Sequence, residues 1–177
     1  TMLKKLAELL RKYDKIYISS DDIYEHIFWH QEKFQNILNV APDLKDRTII
    51  FNGVSKAYSM TGWRIGYAAG NKEIIKKMKT LQSQSTSCAS SVSQYAAISA
   101  LTQKCEELPK MNAEYKERHD YVVKELNNIP GVTCKETDGT FYVFPSFTKY
   151  IEESQKINND DELAMYLLNE GKVAVVP

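Results

Sequence analysis

A helical repeat that hands over to a β-branched run, twice before residue 52, limits the folds open to this chain more than any other feature. Leu3, Leu6, Ala7, Leu9 and Leu10 recur at helical spacing, while Lys4, Lys5, Glu8, Arg11 and Lys12 take the other face. That pattern predicts an amphipathic helix of about three turns. Lys15 to Ser19, centred on Ile16-Tyr17-Ile18, then reads as a buried strand. A weaker helical stretch over 34–40 and 43–47 leads into a second strand, Thr48–Phe51. Helix and strand in alternation imply an α/β fold, a mainly parallel sheet with helices on both faces.

Further along, Trp63–Ala68 reads as another strand, and Asn71 is placed to cap a helix running to about Gln84. By composition alone the serine-rich stretch 83–93 reads as a polar loop opening a helix over Ser90–Leu101, and Pro109–Asn128 reads as one long helix ended by Ile129-Pro130-Gly131. Strands are expected at Val132–Cys134 and Thr140–Phe144, a capped helix at Asp160–Glu170 and a final strand at Lys172–Val176. The reading divides the chain at the long helix, 1–105 and 106–177, the second part being a smaller α+β domain. Both ends look like edges of a fragment: the first residues already lie inside a helix, and the last form an apolar strand that should continue.

The chemistry concentrates in residues 52–67, where Lys56 and Arg64 stand eight apart among small, aromatic and hydroxyl residues. A poorly hydrated lysine amine gives up its proton more readily, the condition for an amine nucleophile. An arginine offers a planar fork suited to phosphate. Lysine for a carbonyl and arginine for a phosphate together point to pyridoxal phosphate. Asp21 follows the Ile16–Ser19 strand, and α/β folds build their sites at the carboxyl ends of strands.

Ser55-Lys56-Ala57-Tyr58-Ser59-Met60-Thr61-Gly62-Trp63-Arg64-Ile65-Gly66-Tyr67 resembles the cofactor-lysine signature of the class I and II aminotransferases, most closely the bacterial aspartate aminotransferase branch. Asp21-Asp22-Ile23-Tyr24 resembles the family's Asp-x-x-Tyr element, with Asp22 where glutamate is commoner. The resemblance implies the large domain of a pyridoxal-phosphate-dependent transferase, incomplete, joined to part of its small domain. It implies that Lys56 carries the cofactor as a Schiff base and moves the substrate proton. By the same carry-over Asp21 pairs with the ring nitrogen, Tyr24 donates to the phenolic oxygen and Arg64 binds the phosphate. The family's phosphate hydroxyl falls at Gly53, so Ser55 or Ser59 stands in for it, or the contact comes from elsewhere. Asp138-Gly139-Thr140-Phe141-Tyr142 resembles the family's small-domain strand, with Gly139 in a tight turn. The resemblance implies for the serine-rich 83–93 a segment near the dimer interface and cofactor, a reading slightly preferred to the polar loop. The implied reaction moves an amino group between an amino acid, aspartate by branch, and 2-oxoglutarate, in a homodimeric parent. The family's glycine-rich loop and its substrate-carboxylate arginine are not among these residues, so the chain itself is expected to turn over poorly.

Other readings keep the motif and change the outcome: a lyase of the same fold, a ligand-sensing domain of a transcription regulator, or a structural fragment. Equal numbers of basic and acidic residues, 23 each, favour neither nucleic acid nor a membrane as partner. Three scattered cysteines, Cys88, Cys105 and Cys134, argue for a reducing compartment, the cytoplasm by default. His26 and His30 have the spacing of a helical metal pair but lack an evident third ligand, and no metal is expected. His119, among charges in the long helix, is expected to be solvated.

Overall fold

The structure, a computed structural model, describes residues 2–177. Two compact units divide the chain, Thr1–Tyr115 with Asp138–Thr140, and Lys116–Thr137 with Phe141–Pro177.

In the first unit, α1 (Met2–Arg11) buries Ala7 against Ile37, Ala41 and Leu44, with Leu3, Leu10 and Ile18 packed around them. No glycine closes this helix. The Arg47 guanidinium does so instead, donating to the carbonyls of Leu10 (2.7 Å), Ile16 (3.0 Å) and Tyr13. Because those carbonyls are engaged in a turn, β1 starts later than the sequence implied, at Ile18–Asp21 rather than Lys15–Ser19. Arg11 also grips Asp43 through two 2.8 Å bonds, and that guanidinium holds the Asp43 carboxyl below the usual carboxylate range.

A short helix, α2 (Ile37–Val40), is capped by Asn36, whose side chain accepts from the Leu38 and Asn39 amides. A 3-10 turn over Pro42–Arg47 feeds β2 (Thr48–Gly53), which pairs in parallel with β1, Asp21 opposite Phe51. The third strand, β3 (Gly66–Gly70), runs antiparallel to β2, so the three-stranded sheet is mixed, with one parallel and one antiparallel pairing. It begins at Gly66 and not at Trp63 because Thr61–Trp63 closes a 3-10 turn and Arg64 turns left-handed, at φ 50°. The close pairing of β2 and β3 depends on glycine: a Cβ at Gly53 would stand 3.2 Å from the Gly66 Cα, and one at Gly70 would stand 2.9 Å from the Thr48 carbonyl. Asn71 caps α3 (Lys72–Ser85), accepting from the Glu73 amide. Two further helices follow, α4 (Ser91–Thr102) and α5 (Glu107–Asn127), the latter running through the boundary between the units.

Gly139 belongs to the first unit. It forms an antiparallel bridge with Phe28, and its Cβ would approach the Ile27 carbonyl to 2.4 Å. Glycine is required there by close backbone approach. The left-handed residue of this segment is its neighbour Thr140, at φ 69°.

The second unit pairs β4 (Thr133–Cys134) with β5 (Pro145–Ser146). The strand expected at Thr140–Phe144 is therefore displaced, since the left-handed Thr140 interrupts an extended run. Asn127 links α5 to β4, donating to the Val123 and Cys134 carbonyls and accepting from the Cys134 amide. Two helices complete the unit, α6 (Thr148–Glu153) and α7 (Asp160–Asn169), with Asn159 capping α7 by accepting from the Glu162 amide. Lys172–Val176 is not a strand. Lys172 turns left-handed at φ 57° and the Val173 amide closes onto the Leu167 carbonyl, a helix-end turn. His119, expected in solvent, is buried at 6% exposure, and its Nε2 accepts from the Thr137 amide at 3.1 Å. Among the described residues no helix is long and apolar enough to cross a membrane.

Candidate active site

Parallel pairing of β1 with β2 puts their carboxyl ends on one edge of the sheet, and antiparallel β3 brings its first residue to that same edge, Gly66 opposite Gly53. Four of the residues singled out in the sequence follow from this. Asp21 ends β1, Tyr24 lies in the turn just beyond it, Lys56 is three residues past the end of β2, and Arg64 is two before β3. A carboxylate, a phenol, an amine and a guanidinium thus gather where two different strands end and a third begins.

Lys56 is half-buried in a tight turn closed by Tyr58 N–H to the Val54 carbonyl and Ser59 N–H to the Lys56 carbonyl. Its Nζ stands 5.8 Å from the centroid of the Tyr24 ring, within cation–π reach. That contact ties the β1 turn to the β2 turn across the edge. Asp21 is exposed, and its Oδ1 accepts from the Ile23 amide at 3.3 Å. Arg64 folds one guanidinium nitrogen back onto the Thr61 carbonyl at 2.9 Å and presents the exposed remainder of the fork. Of the two candidate hydroxyls, Ser59 donates to the Met111 sulfur (3.8 Å), while half-buried Ser55 stays in the lysine turn.

Around these groups lies a set of contacts that sequence reading did not pick out. Asn52, at the end of β2, donates to Glu25 at 2.7 Å and accepts from the Gly53 amide. His26 meets the Tyr58 ring edge-on, centroids 5.9 Å apart. Burial pushes the Tyr58 and Tyr67 phenols above their ordinary value, with Glu25 adding to the rise in both. Behind the turn, Asp22 is 4% exposed and accepts from Ser20 Oγ (2.7 Å) and Asn36 Nδ2 (2.6 Å). A buried Asp–Asn pair fourteen residues apart has no short-range signature, and only the repeated acid at 21–22 hinted that one member faces inward. His26 and His30 share no helix. His30 Nδ1 accepts from the Glu32 amide, and no cluster of potential metal ligands occurs among the described residues.

This constellation can be compared with known proteins. The profile described as aminotransferase class I and II matches residues 1–177. The chain belongs to that family. An aspartate/prephenate aminotransferase of Cereibacter sphaeroides is 46% identical over 98% of this chain and 44% of its own length. The aspartate aminotransferase of Rhizobium meliloti is 42% identical over 98% of the chain and 43% of its own length. A crystal structure of an aspartate aminotransferase from Rhizobium meliloti superposes with a TM-score of 0.87, at 41% identity, over 97% of this chain and 44% of that one. An aromatic aminotransferase from Pyrococcus horikoshii superposes at 0.86, with 31% identity, over 99% of this chain and 45% of that one. This aminotransferase-family chain therefore spans somewhat under half the length of these relatives.

Proposed function

We propose that these residues are part of a pyridoxal-phosphate-dependent aminotransferase that moves an amino group between aspartate and 2-oxoglutarate. The observation carrying this reading is the placement of amine, phenol, carboxylate and guanidinium at one end of the sheet, with Lys56 Nζ 5.8 Å from the Tyr24 ring centroid. That donor set fits pyridoxal phosphate: an amine for its aldehyde, a carboxylate for its ring nitrogen, a phenol for its hydroxyl and a fork for its phosphate. Membership of the family and the aspartate aminotransferase names of its relatives support the choice of reaction and substrate.

When bound, pyridoxal phosphate supplies an electron sink for the pair left on the substrate's α-carbon. Asp21 would hold the ring nitrogen protonated, since a close carboxylate favours the charged form. Tyr24 would donate its O–H to the cofactor's phenolic oxygen, its ring lying 5.8 Å from the lysine nitrogen. Arg64 would bind the phosphate through the guanidinium nitrogens not used on Thr61, with the Ser55 hydroxyl beside it. Lys56 Nζ would hold the cofactor and, once freed by substrate, take the proton from the substrate α-carbon and return it. We assign residues 1–105 to the cofactor-binding domain and 106–177 to the linking helix and small domain.

Borohydride reduction of the full-length protein with pyridoxal phosphate, followed by peptide mapping, tests this reading. A pyridoxyl adduct confined to Lys56 and absent from Lys56→Ala is expected, together with a fall of at least about a thousandfold in aspartate-dependent turnover. Adducts spread over surface lysines would refute it.

A further inference from the structure

We propose that Asp22 is a positioning residue that decides which way Asp21 points and holds the Asp21–Tyr24 turn in place. The inference deepens the aminotransferase reading and rests on it.

Side chains alternate across a strand, and along β1 the alternation is plain: Ile18 and Ser20 are half-buried, Ser19 and Asp21 exposed. Asp22 continues it one residue beyond the strand, on the inward face with Ser20. Its amide extends the ladder by donating to the Phe51 carbonyl at 2.8 Å, and its own carbonyl accepts from the Glu25 amide at 2.9 Å. With the carboxylate held by Ser20 and Asn36 as well, every polar group of Asp22 is engaged. A buried carboxylate is tolerated only where donors meet it, and hydrogen bonds to a charged acceptor are the stronger kind. Asp22 therefore cannot rotate outward without stranding its donors. While it stays inward, Asp21 must face the open edge and Tyr24 must follow in register. The Asn36 contact extends the hold to the start of α2, so the β1 turn is pinned from three sides.

The test uses the full-length protein with Asp22→Ala, Asp22→Asn and Ser20→Ala. An asparagine at 22 can still accept from Asn36 and pair with the Ser20 hydroxyl, so it restores geometry without charge. Ser20→Ala removes one donor and serves if Asp22→Ala does not fold. Hydrogen exchange at the 22–27 amides in cofactor-free protein reads the clamp directly. Pyridoxal phosphate affinity, and the pH dependence of the bound cofactor's visible absorption, read the orientation of Asp21.

Asp22→Ala removes both hydrogen bonds to the carboxylate and should speed exchange and weaken cofactor binding by at least about tenfold each, one hydrogen bond to a charged group being on that scale. It should also displace the absorption pH profile, with Ser20→Ala intermediate and Asp22→Asn near wild type. Wild-type exchange in both Asp22→Ala and Ser20→Ala would overturn the clamp. Faster exchange with an unmoved absorption profile would overturn the positioning role. Failure of the underlying aminotransferase reading is a separate result, wild-type protein forming no adduct at Lys56 whatever the exchange data.

Discussion

Lys56 and Arg64 can be singled out in the sequence because a lone amine and a lone guanidinium in an uncharged run are chemically conspicuous. Asp21 and Tyr24 are less conspicuous, and only their place after a strand recommends them. Asp22, Glu25 and Asn52 could not be nominated, since their partners Asn36 and each other come from separate segments. The phenols of Tyr58 and Tyr67 yield a prediction at this scale. Burial raises both above the model-compound value of 10.0, so between the ordinary and the raised value the folded state holds protons that the unfolded chain has released. Stability from these groups is complete below about pH 10 and is lost as pH climbs through the raised values. A denaturation series from pH 9 to 11, roughly the span over which free tyrosine ionises, should show falling stability in the full-length protein. Replacing Tyr67 with Phe should flatten the slope, and a variant as steep as wild type would place the effect elsewhere.

Helices were legible where the signals are local. Asn71 and Asn159 cap their helices through their own side chains, whereas the closure of α1 comes from Arg47, thirty-odd residues away. Replacing Arg47 with Ala removes the bonds that close a helix end and, since water can reach those carbonyls, should cost about 0.5–1.5 kcal/mol, read as a lower midpoint in urea. Lysine at 47 should recover little, because an ammonium on a flexible stem cannot span three carbonyls as the guanidinium does. The short strands were the least legible elements. β4 and β5 have two residues each, too few for a period, and left-handed Thr140 shifts the pairing downstream. Gly139→Ala should cost about 1–3 kcal/mol, since the new methyl would have to displace the Ile27 carbonyl. Thermal melts of the variant would check it, and a wild-type midpoint would mean the bridge to Phe28 yields easily.

For the molecule as a whole, the sequence implied an α/β architecture, and the mixed sheet and flanking helices bear that out at the coarse level. It did not anticipate how much apolar surface stays uncovered. Leu81 on α3 and Tyr95 on α4 are 73% and 76% exposed, with Val92 and Ile98 also open on α4. Where such side chains join into one exposed patch, they favour association. A preparation of these 177 residues alone should bind a hydrophobic dye and elute larger than its 20.3 kDa from a sizing column. A monomeric, dye-silent preparation would show that the faces are tolerated in water.

Residues 48–70 carry Lys56 and Arg64 on the connection between two strands zipped together residue by residue from Ile49–Gly70 to Gly53–Gly66. Any exchange of this segment as a whole therefore carries amine and guanidinium together. A recombination breakpoint on either side of it would pass both groups on in step. An insertion or deletion within 57–63 would change the span between them while leaving both strands intact, and so alter the size of ligand they hold without touching the fold.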